Sequence, residues 1–179
     1  MTLLFSDVVG STALGSRVDP EVLSNVMSAY YATMKPIVEE HGGRVIKFIG
    51  DALVAVWGLP EGRPDDPVRA CGAAVAMRDR MTSLNDELER TRGLRIGTRT
   101  GITTGPVAGE GDTLVAGDTS NVASSVQGEA EPGEVLLAEP TYELVRDAVS
   151  VDAVSQVEIK GKAERAQAYR LVDVRAGAL

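Results

Sequence analysis

The order of predicted elements indicates an α/β fold, an α+β sandwich in which helices pack on a mixed sheet. Two observations support this prediction. Short β-rich runs alternate with longer segments of helical apolar spacing. Two of the β-rich runs are separated only by Gly50-Asp51, which is hairpin spacing and requires antiparallel pairing. That hairpin argues against a doubly wound parallel sheet.

Local signals mark the individual elements. Asp19 before Pro20 is an N-cap followed by a proline at the first helical position. Pro36 interrupts the helical spacing and predicts a kink or break. The predicted elements are, in chain order, a strand over 2–5, a helix from 20 to the Gly42-Gly43 turn, strands over 44–49 and 52–57, a helix over 65–89, strands over 94–104 and 113–116, a helix over 119–128, a strand over 134–138, a helix over 140–147, and strands over 154–159 and 168–174.

Composition excludes several kinds of site. The chain has 179 residues, which fits a single domain of ~100–200 residues. Cys71 is its only cysteine, so an internal disulfide is excluded. His41 is its only histidine, which argues against a zinc site of the common Cys/His kinds. A site that binds Mg²⁺ or Mn²⁺ through oxygen ligands is compatible with the composition.

Charge and hydropathy limit the kinds of partner that the chain is expected to have. Asp and Glu number 26 against 18 Lys and Arg, a formal net charge of −8, which argues against nucleic acid as the main partner. The longest apolar stretches are far shorter than the ~20 residues that span a membrane. No signal-peptide core precedes Asp7. The sequence therefore predicts a cytoplasmic domain without a membrane segment of its own.

The strongest chemical feature is a pair of aspartates at predicted strand ends. Asp7 follows the first strand, and Asp51 lies at the tip of the hairpin. If the two strands are neighbours, both carboxylates project from one edge of the sheet. That arrangement suits Mg²⁺, which one or two carboxylates hold together with substrate phosphates. Aspartate is also an ordinary turn residue, and from residue types alone a purely structural role is favoured.

Three further polar positions are candidates for contacts with a nucleotide. Lys47 lies in an otherwise apolar strand, Lys160-Gly161-Lys162 forms a basic turn, and Asn121 opens a short helix. Lysines can meet phosphate oxygens, and an amide at a helix start can orient a sugar or phosphate. Taken alone, each also fits a solvated strand residue, a solvated turn or a helix cap. The sequence contains no P-loop, and Gly109-Glu110-Gly111 lacks the third glycine of a dinucleotide-binding loop.

Six short motifs occur in a fixed order along almost the whole chain, from Thr2 to Val174. They are Leu4-Phe5-Ser6-Asp7-Val8-Val9-Gly10-Ser11-Thr12; His41-Gly42-Gly43 leading to Lys47-Phe48-Ile49-Gly50-Asp51-Ala52; Arg99-Thr100-Gly101-Ile102-Thr103-Thr104-Gly105; Gly117-Asp118-Thr119-Ser120-Asn121-Val122-Ala123; Glu131-Pro132-Gly133-Glu134-Val135; and Lys160-Gly161-Lys162. In this order they resemble the class III nucleotidyl cyclase catalytic domain, the adenylyl and guanylyl cyclase family, and most strongly its bacterial members. The resemblance implies a catalytic domain over residues 1–174 and a C-terminal tail over 175–179.

The resemblance implies a ferredoxin-like core with a mixed, mainly antiparallel sheet. It also implies a head-to-tail dimer, either a homodimer or a heterodimer with another cyclase chain, with active sites in the interface. The implied reaction is attack of the ATP 3′-hydroxyl on the α-phosphorus, which yields cyclic AMP and pyrophosphate. The implied roles are Asp7, Asp51 and the Val8 carbonyl as ligands of two Mg²⁺ or Mn²⁺ ions, Lys47 of the partner subunit as the adenine reader, Asn121 at the ribose and Lys160 at the terminal phosphates.

Two positions depart from the family pattern. Where the family has an arginine four residues after the asparagine, this chain has Ser125, which carries no charge. By analogy with arginine fingers, the loss would reduce the rate by ~10³–10⁵-fold. The second purine-reading position, seven residues before Asn121, is Leu114, whose side chain cannot hydrogen-bond. The adjacent Thr113 could serve if the loop is shifted by one residue.

Two functions follow from this pattern. One is a metal-dependent adenylyl cyclase of low intrinsic activity, since Asp7, Asp51 and Lys47 are all present. The other is a degenerate cyclase domain that acts as a nucleotide-binding or regulatory module, or as one half of a heterodimeric cyclase. If the rest of the site is intact, Ser125→Arg should raise turnover.

Overall fold

In the computed structural model, a single sheet carries helices on both of its faces. The structure describes residues 1–9, 17–108 and 117–178, apart from the side chains of Lys47 and Ile49. The predicted strand over 113–116 lies outside these residues. The described strands are β1 (Thr2–Val9), β2 (Arg44–Ile49), β3 (Ala52–Trp57), β4 (Gly97–Thr104), β5 (Val135–Ala138), β6 (Val149–Glu158) and β7 (Arg165–Val174). The described helices are α1 (Pro20–Glu40), α2 (Asp66–Arg92), α3 (Asp118–Glu129) and α4 (Glu139–Val145).

The sheet has the strand order β2-β3-β1-β4-β5-β7-β6. Every described pair is antiparallel except β4–β5, which is parallel. The first six elements run β1-α1-β2-β3-α2-β4, and their strands lie in the order β2-β3-β1-β4. This is the ferredoxin-like arrangement. The predicted fold class, a mainly antiparallel mixed sheet covered by helices, is confirmed.

The central strand β1 divides the core because its side chains alternate between the two faces. Leu4 and Val8 are buried in the cluster that contains residues of α1 and α2. Leu3 and Phe5 are buried in a second cluster, together with Ala123 of α3. Asp7 has the same parity as Leu3 and Phe5 and therefore lies on the α3 face of the sheet.

Helix α3 lies unusually close to strand β4, and a glycine makes this approach possible. A Cβ atom on Gly101 would lie 2.4 Å from the backbone nitrogen of Gln127 and 2.8 Å from the Ala123 carbonyl oxygen. Real Cβ atoms essentially never come so near. The backbone of α3 thus rests directly on the sheet, which fixes where its exposed face lies.

Helix α1 begins as the sequence predicts, since the Asp19 side chain accepts a hydrogen bond from the Glu21 N–H at 3.1 Å. Of the kink or break predicted at Pro36, the break is wrong, because the helix continues to Glu40. Met34 and Val38, on either side of the proline, are fully buried. Their burial favours continuing the helix past the lost backbone hydrogen bond.

The last two strands are longer than the sequence predicts. Strand β6 begins at Val149 instead of 154, and β7 begins at Arg165 instead of 168. The added part of β6, residues 149–153, has an apolar–polar alternation that the predicted bounds omitted, whereas the added part of β7, residues 165–167, includes the exposed Arg165 and Gln167. In the described part of the chain, no helix has an apolar stretch long enough to cross a bilayer.

Candidate active site

The pairing of β1 with β3 brings the two predicted metal-binding aspartates together. Asp7 lies opposite Ala52 in the register, directly beside Asp51. The Val8 N–H donates a hydrogen bond to the Asp51 carbonyl oxygen at 3.3 Å. Asp7 lies inside the strand, which extends to Val9, and not at its end as the sequence predicts. The condition for a shared cation site, that the two strands be neighbours, is therefore met.

Arg99 is the main contact of Asp7 and was not assigned a role from the sequence. Its Nε and Nη2 donate to Asp7 Oδ1 and Oδ2 at 3.4 and 3.3 Å. Its Nη1 donates to the Gly128 carbonyl oxygen of α3 at 3.1 Å. Arg99 faces Asp7 across β1 and β4, a register that no spacing along the sequence predicts. The guanidinium balances the carboxylate charge and links the aspartate to α3.

Helix α1 braces the hairpin tip that carries Asp51. The Tyr31 hydroxyl donates to the Gly50 carbonyl oxygen at 3.0 Å. The Tyr31 ring packs against Phe48, with ring centroids 3.9 Å apart. Burial, and then the negative charge of Asp51, raise the pKa of Tyr31.

The donor set fits a hard divalent cation. Two carboxylates and a nearby backbone carbonyl are oxygen donors of the kind that Mg²⁺ and Mn²⁺ prefer. Among the described residues, no group of three or more His, Cys, Asp or Glu side chains forms a complete metal cage. Asp7 and Asp51 could supply carboxylate oxygens to Mg²⁺, which proteins usually bind together with substrate phosphates and water.

A chain of buried hydroxyls supports Asp7 from behind. The Thr100 hydroxyl donates to Ser6 Oγ at 3.0 Å, and Ser6 Oγ lies 2.9 Å from the Tyr30 hydroxyl. Burial raises the pKa of Tyr30, so this phenol stays neutral. The network joins β1, β4 and α1, and it fixes the backbone that carries the aspartate.

On α3, the predicted ribose and transition-state positions share one face. Asn121 and Ser125 are one helical turn apart, at i and i+4. Asn121 is exposed in the first turn, and its backbone N–H donates to the Gly117 carbonyl oxygen at 3.1 Å. Ser125 is partly exposed, and its Oγ accepts a hydrogen bond from the Lys160 N–H at 3.0 Å.

The structure thus brings Ser125 and Lys160 into direct contact, although they are 35 residues apart in sequence. Both line a cleft of about 720 Å³ between α3 and the turn that joins β6 to β7. Lys162, the other lysine of the turn, donates to Asp118 at the start of α3 at 2.9 Å. The turn is therefore fastened to α3 at two points.

The remaining predicted residues fall in other places. The backbone of Lys47 lies in β2 opposite Val54, while its side chain is outside the described part of the structure. Thr113 and Leu114 also lie outside the described residues.

Cys71 is fully buried in the core, as predicted, and burial raises the pKa of its thiol to about 12. His41 caps the end of α1 through its Nδ1, 2.8 Å from the Ile37 carbonyl oxygen.

Comparison with known proteins agrees with this geometry. The sequence profile of the family described as the adenylate and guanylate cyclase catalytic domain matches residues 1–173. An adenylate cyclase of Mycobacterium tuberculosis is 30% identical over 167 residues, which are 90% of this chain and 37% of that protein. The chain therefore spans little more than a third of that curated relative.

Solved structures show the same fold. The crystal structure of the adenylyl cyclase CyaB from P. aeruginosa superposes with a TM-score of 0.88 at 31% identity, covering 98% of this chain and 94% of that one. The crystal structure of the guanylyl cyclase Cya2 gives a TM-score of 0.89 at 25% identity, covering 98% and 93%. The fold and the family match define a nucleotidyl cyclase catalytic domain. This chain belongs to the adenylate and guanylate cyclase family.

Proposed function

We propose that this domain is an adenylyl cyclase that converts ATP to cyclic AMP and pyrophosphate. The observation that carries the proposal is the placement of Asp7 beside Asp51 through β1–β3 pairing, in a chain that belongs to the cyclase family. Aspartates on two paired strands can supply carboxylate oxygens to a divalent cation that also binds substrate phosphates. A cytoplasmic location is part of the proposal, since the reaction consumes ATP and the chain has one buried, unpaired cysteine.

The proposed roles follow the chemistry of each side chain. Asp7 and Asp51, together with the Val8 carbonyl, hold two Mg²⁺ or Mn²⁺ ions at the triphosphate. When bound, such ions lower the pKa of the attacking 3′-hydroxyl and neutralise phosphate charge. The remaining proposed roles are Asn121 at the ribose, Lys160 at the terminal phosphates, Lys47 at the adenine, and Thr113 or Leu114 at the second purine-reading position.

We propose a composite site between two chains in a head-to-tail dimer. Lys160 lies on the turn between β6 and β7, and β7 is three strands away from β1. With neighbouring strands ~4.8 Å apart, β1, which carries Asp7, and β7 are separated by ~14 Å across the sheet of one chain. A second copy in two-fold arrangement can bring its own α3 and Lys160 opposite the aspartates of the first. The same arrangement could join this chain to a different cyclase chain.

The decisive experiment measures cyclic AMP formed from Mn²⁺-ATP across a series of protein concentrations. If two chains build the site, the initial rate rises faster than linearly while dimers are forming. Mn²⁺-GTP serves as the control for base selectivity. Lys47 matches the lysine that reads adenine in adenylyl cyclases, so ATP should be the preferred substrate. Cyclic GMP formed faster than cyclic AMP would contradict the adenylyl assignment.

The second candidate function is that of a degenerate cyclase domain, and Ser125 is the observation that favours it. A serine cannot neutralise charge on the reacting phosphoryl group, which predicts low turnover in a homodimer. Such a domain would bind nucleotide as a regulatory module, or would complete one site in a heterodimer. Binding of a fluorescent ATP analogue without any cyclic product at high protein concentration would support this alternative.

A further inference from the structure

The cleft beside Ser125 has two walls that are far apart in sequence. One wall is the exposed side of α3, and the other is the end of the β6–β7 hairpin. The cleft holds about 720 Å³. Among the residues that line it are Ser125 on the helix and Glu158, Lys160, Lys162 and Arg165 on the hairpin.

Ser125 is directed to the hairpin backbone. Its Oγ accepts the Lys160 N–H at 3.0 Å, so the hydroxyl oxygen is engaged in fastening the turn to α3. The side chain is short, and it leaves the space between the two walls open. A long side chain at position 125 would occupy that space and would leave the Lys160 N–H without this acceptor.

Arg165 faces the same space from the opposite wall. It begins β7, where it pairs with Glu158 of β6 in the hairpin register. Its Nη2 donates to Glu158 Oε1 at 2.8 Å, and the two side chains are 62% and 73% exposed. An ion pair this exposed is weak, so a phosphate group can replace the carboxylate. The planar guanidinium suits phosphate oxygens well.

The two lysines of the turn do not offer the same chemistry. Lys162 is held by Asp118 at 2.9 Å. Lys160 carries an ammonium group, a compact charge without the forked geometry of a guanidinium. Among the described residues that line the cleft, Arg165 is therefore the guanidinium available to a phosphate bound beside Ser125.

We infer that Arg165 supplies the guanidinium that contacts the reacting phosphoryl group, from the wall opposite the position that Ser125 occupies. This inference rests on the proposed adenylyl cyclase function. In that reaction the 3′-oxygen forms a bond to the α-phosphorus, the bond from the α-phosphorus to the bridging oxygen breaks, pyrophosphate leaves with that electron pair, and the hydroxyl proton passes to water. Arg165 would stabilise the negative charge on the oxygens of this group.

The test compares four proteins for cyclic AMP formation from Mn²⁺-ATP: wild type, Arg165→Ala, Ser125→Arg and the double variant. We expect Arg165→Ala to lower kcat by about 10³-fold, the lower end of the range for arginine fingers. Ser125→Arg alone should bring little gain, because the guanidinium is already supplied. In the Arg165→Ala background, Ser125→Arg should restore activity at least 10-fold.

Arg146→Ala is the matched control. Arg146 is also an exposed arginine, 59% accessible, that pairs with a glutamate, Glu143, at 3.5 Å. It does not line the cleft, so its variant should keep wild-type kcat. Thermal unfolding of each variant checks folding, and Arg165→Lys tests the guanidinium because it keeps the charge without the fork. We expect kcat of Arg165→Lys to lie well below that of wild type.

The outcomes separate this inference from the proposed function. An active wild type whose kcat is unchanged in a folded Arg165→Ala variant would overturn the inference and leave the cyclase function standing. A large gain from Ser125→Arg in the wild-type background would overturn it as well, because the guanidinium would then be missing. A wild type that forms no cyclic AMP would overturn the proposed function together with the inference.

Discussion

Replacing Asp7 with asparagine removes the charge of the side chain and keeps its shape. We expect Asp7→Asn to lower Mn²⁺-dependent cyclic AMP formation by about 10²-fold or more, the order of magnitude of losing one electrostatic contact at a reacting centre. The amide still offers one oxygen to Arg99, whose Nη2 lies 3.3 Å from the carboxylate, so the fold should persist. Initial rates at saturating Mn²⁺-ATP measure the effect.

Asp79→Asn is the control for this prediction. Asp79 also lies 3.3 Å from an arginine, Arg78, but its side chain is 67% exposed on α2. Its variant should keep wild-type turnover. Equal rates for Asp7→Asn and wild type would show that the β1 carboxylate holds no essential cation.

Among the elements, α3 depends on its close approach to β4. In Gly101→Ala the added Cβ would meet backbone atoms of α3 at 2.4 and 2.8 Å, which cannot move aside as a flexible side chain can. We expect the free energy of unfolding to fall by about 1–3 kcal/mol, the usual cost of overpacking. Because α3 carries Asn121 and Ser125, turnover should fall as well. Urea unfolding and cyclic AMP formation measure the two effects.

Gly128→Ala gives the matched comparison within α3. A Cβ there meets nothing within 4 Å, and alanine is a better helix former than glycine by about 0.5–1 kcal/mol. This variant should therefore be at least as stable as wild type. A stable Gly101→Ala protein with wild-type turnover would mean that the helix does not need its present distance from the sheet.

At the far side of the sheet, an ion-pair network with a definite pH dependence joins β6, β7 and Glu134, the residue before β5. Arg170 of β7 bonds Glu134 at 2.9 Å and Asp152 of β6 at 2.6 Å. The hydrogen bond from Arg170 is the main cause that holds the pKa of Glu134 below its ordinary value. A carboxylate with a lowered pKa stabilises the fold above its unfolded pKa of ~4.3, and that stabilisation is lost as the pH falls through the folded value.

The Arg170→Gln variant tests the direction of this pH dependence of stability. The variant should be less stable than wild type at pH 7, and the difference should shrink as the pH falls through the folded pKa of Glu134, because protonation of Glu134 removes the same interaction from wild type. The urea midpoint measured from pH 7 to pH 3 reports the difference. Arg80→Gln is the control, since Arg80 bonds the Ser83 hydroxyl, and its pH profile should follow wild type. Parallel profiles for Arg170→Gln and wild type would contradict the assignment.

Across the whole molecule, local sequence patterns predicted most helices and strands, whereas contacts between residues distant in sequence determine which side chains meet at the candidate site. The hairpin at Gly50-Asp51 and the helix after Asp19 follow from short spacings, and both are present. The parallel β4–β5 pair has no local signal. The contact of Arg99 with Asp7 spans 92 residues, and the contact of Ser125 with Lys160 spans 35. No spacing along a single sequence identifies such partners.

The same separation explains why Arg165 was not a candidate from the sequence. Between Arg99 and Arg146 the chain contains no arginine, so no replacement for the family's arginine lies near Ser125 in sequence. Folding the β6–β7 hairpin against α3 brings Arg165, 40 positions further along, to the same cleft. Strand β7 also begins three residues earlier than its apolar pattern indicates, which brings Arg165 into the hairpin register.

The composite-site proposal makes a prediction that only an assembly of two chains can meet. Asp51→Asn removes a proposed metal ligand, and Asn121→Ala removes the proposed ribose contact, so each variant alone should be nearly inactive. In a two-fold dimer the mixed species contains one site with both defects and one site with neither.

Equal mixing yields half mixed dimers, each with one of two sites intact, so about a quarter of wild-type activity should return. The mixture is assayed after the subunits have exchanged. The control is a single chain that carries both Asp7→Asn and Asn121→Ala, because every site in its dimers has both defects. Activity in the mixture requires that the aspartates and α3 of one site belong to different chains. An inactive mixture of folded, exchanging variants would instead assign both groups to a site within one chain.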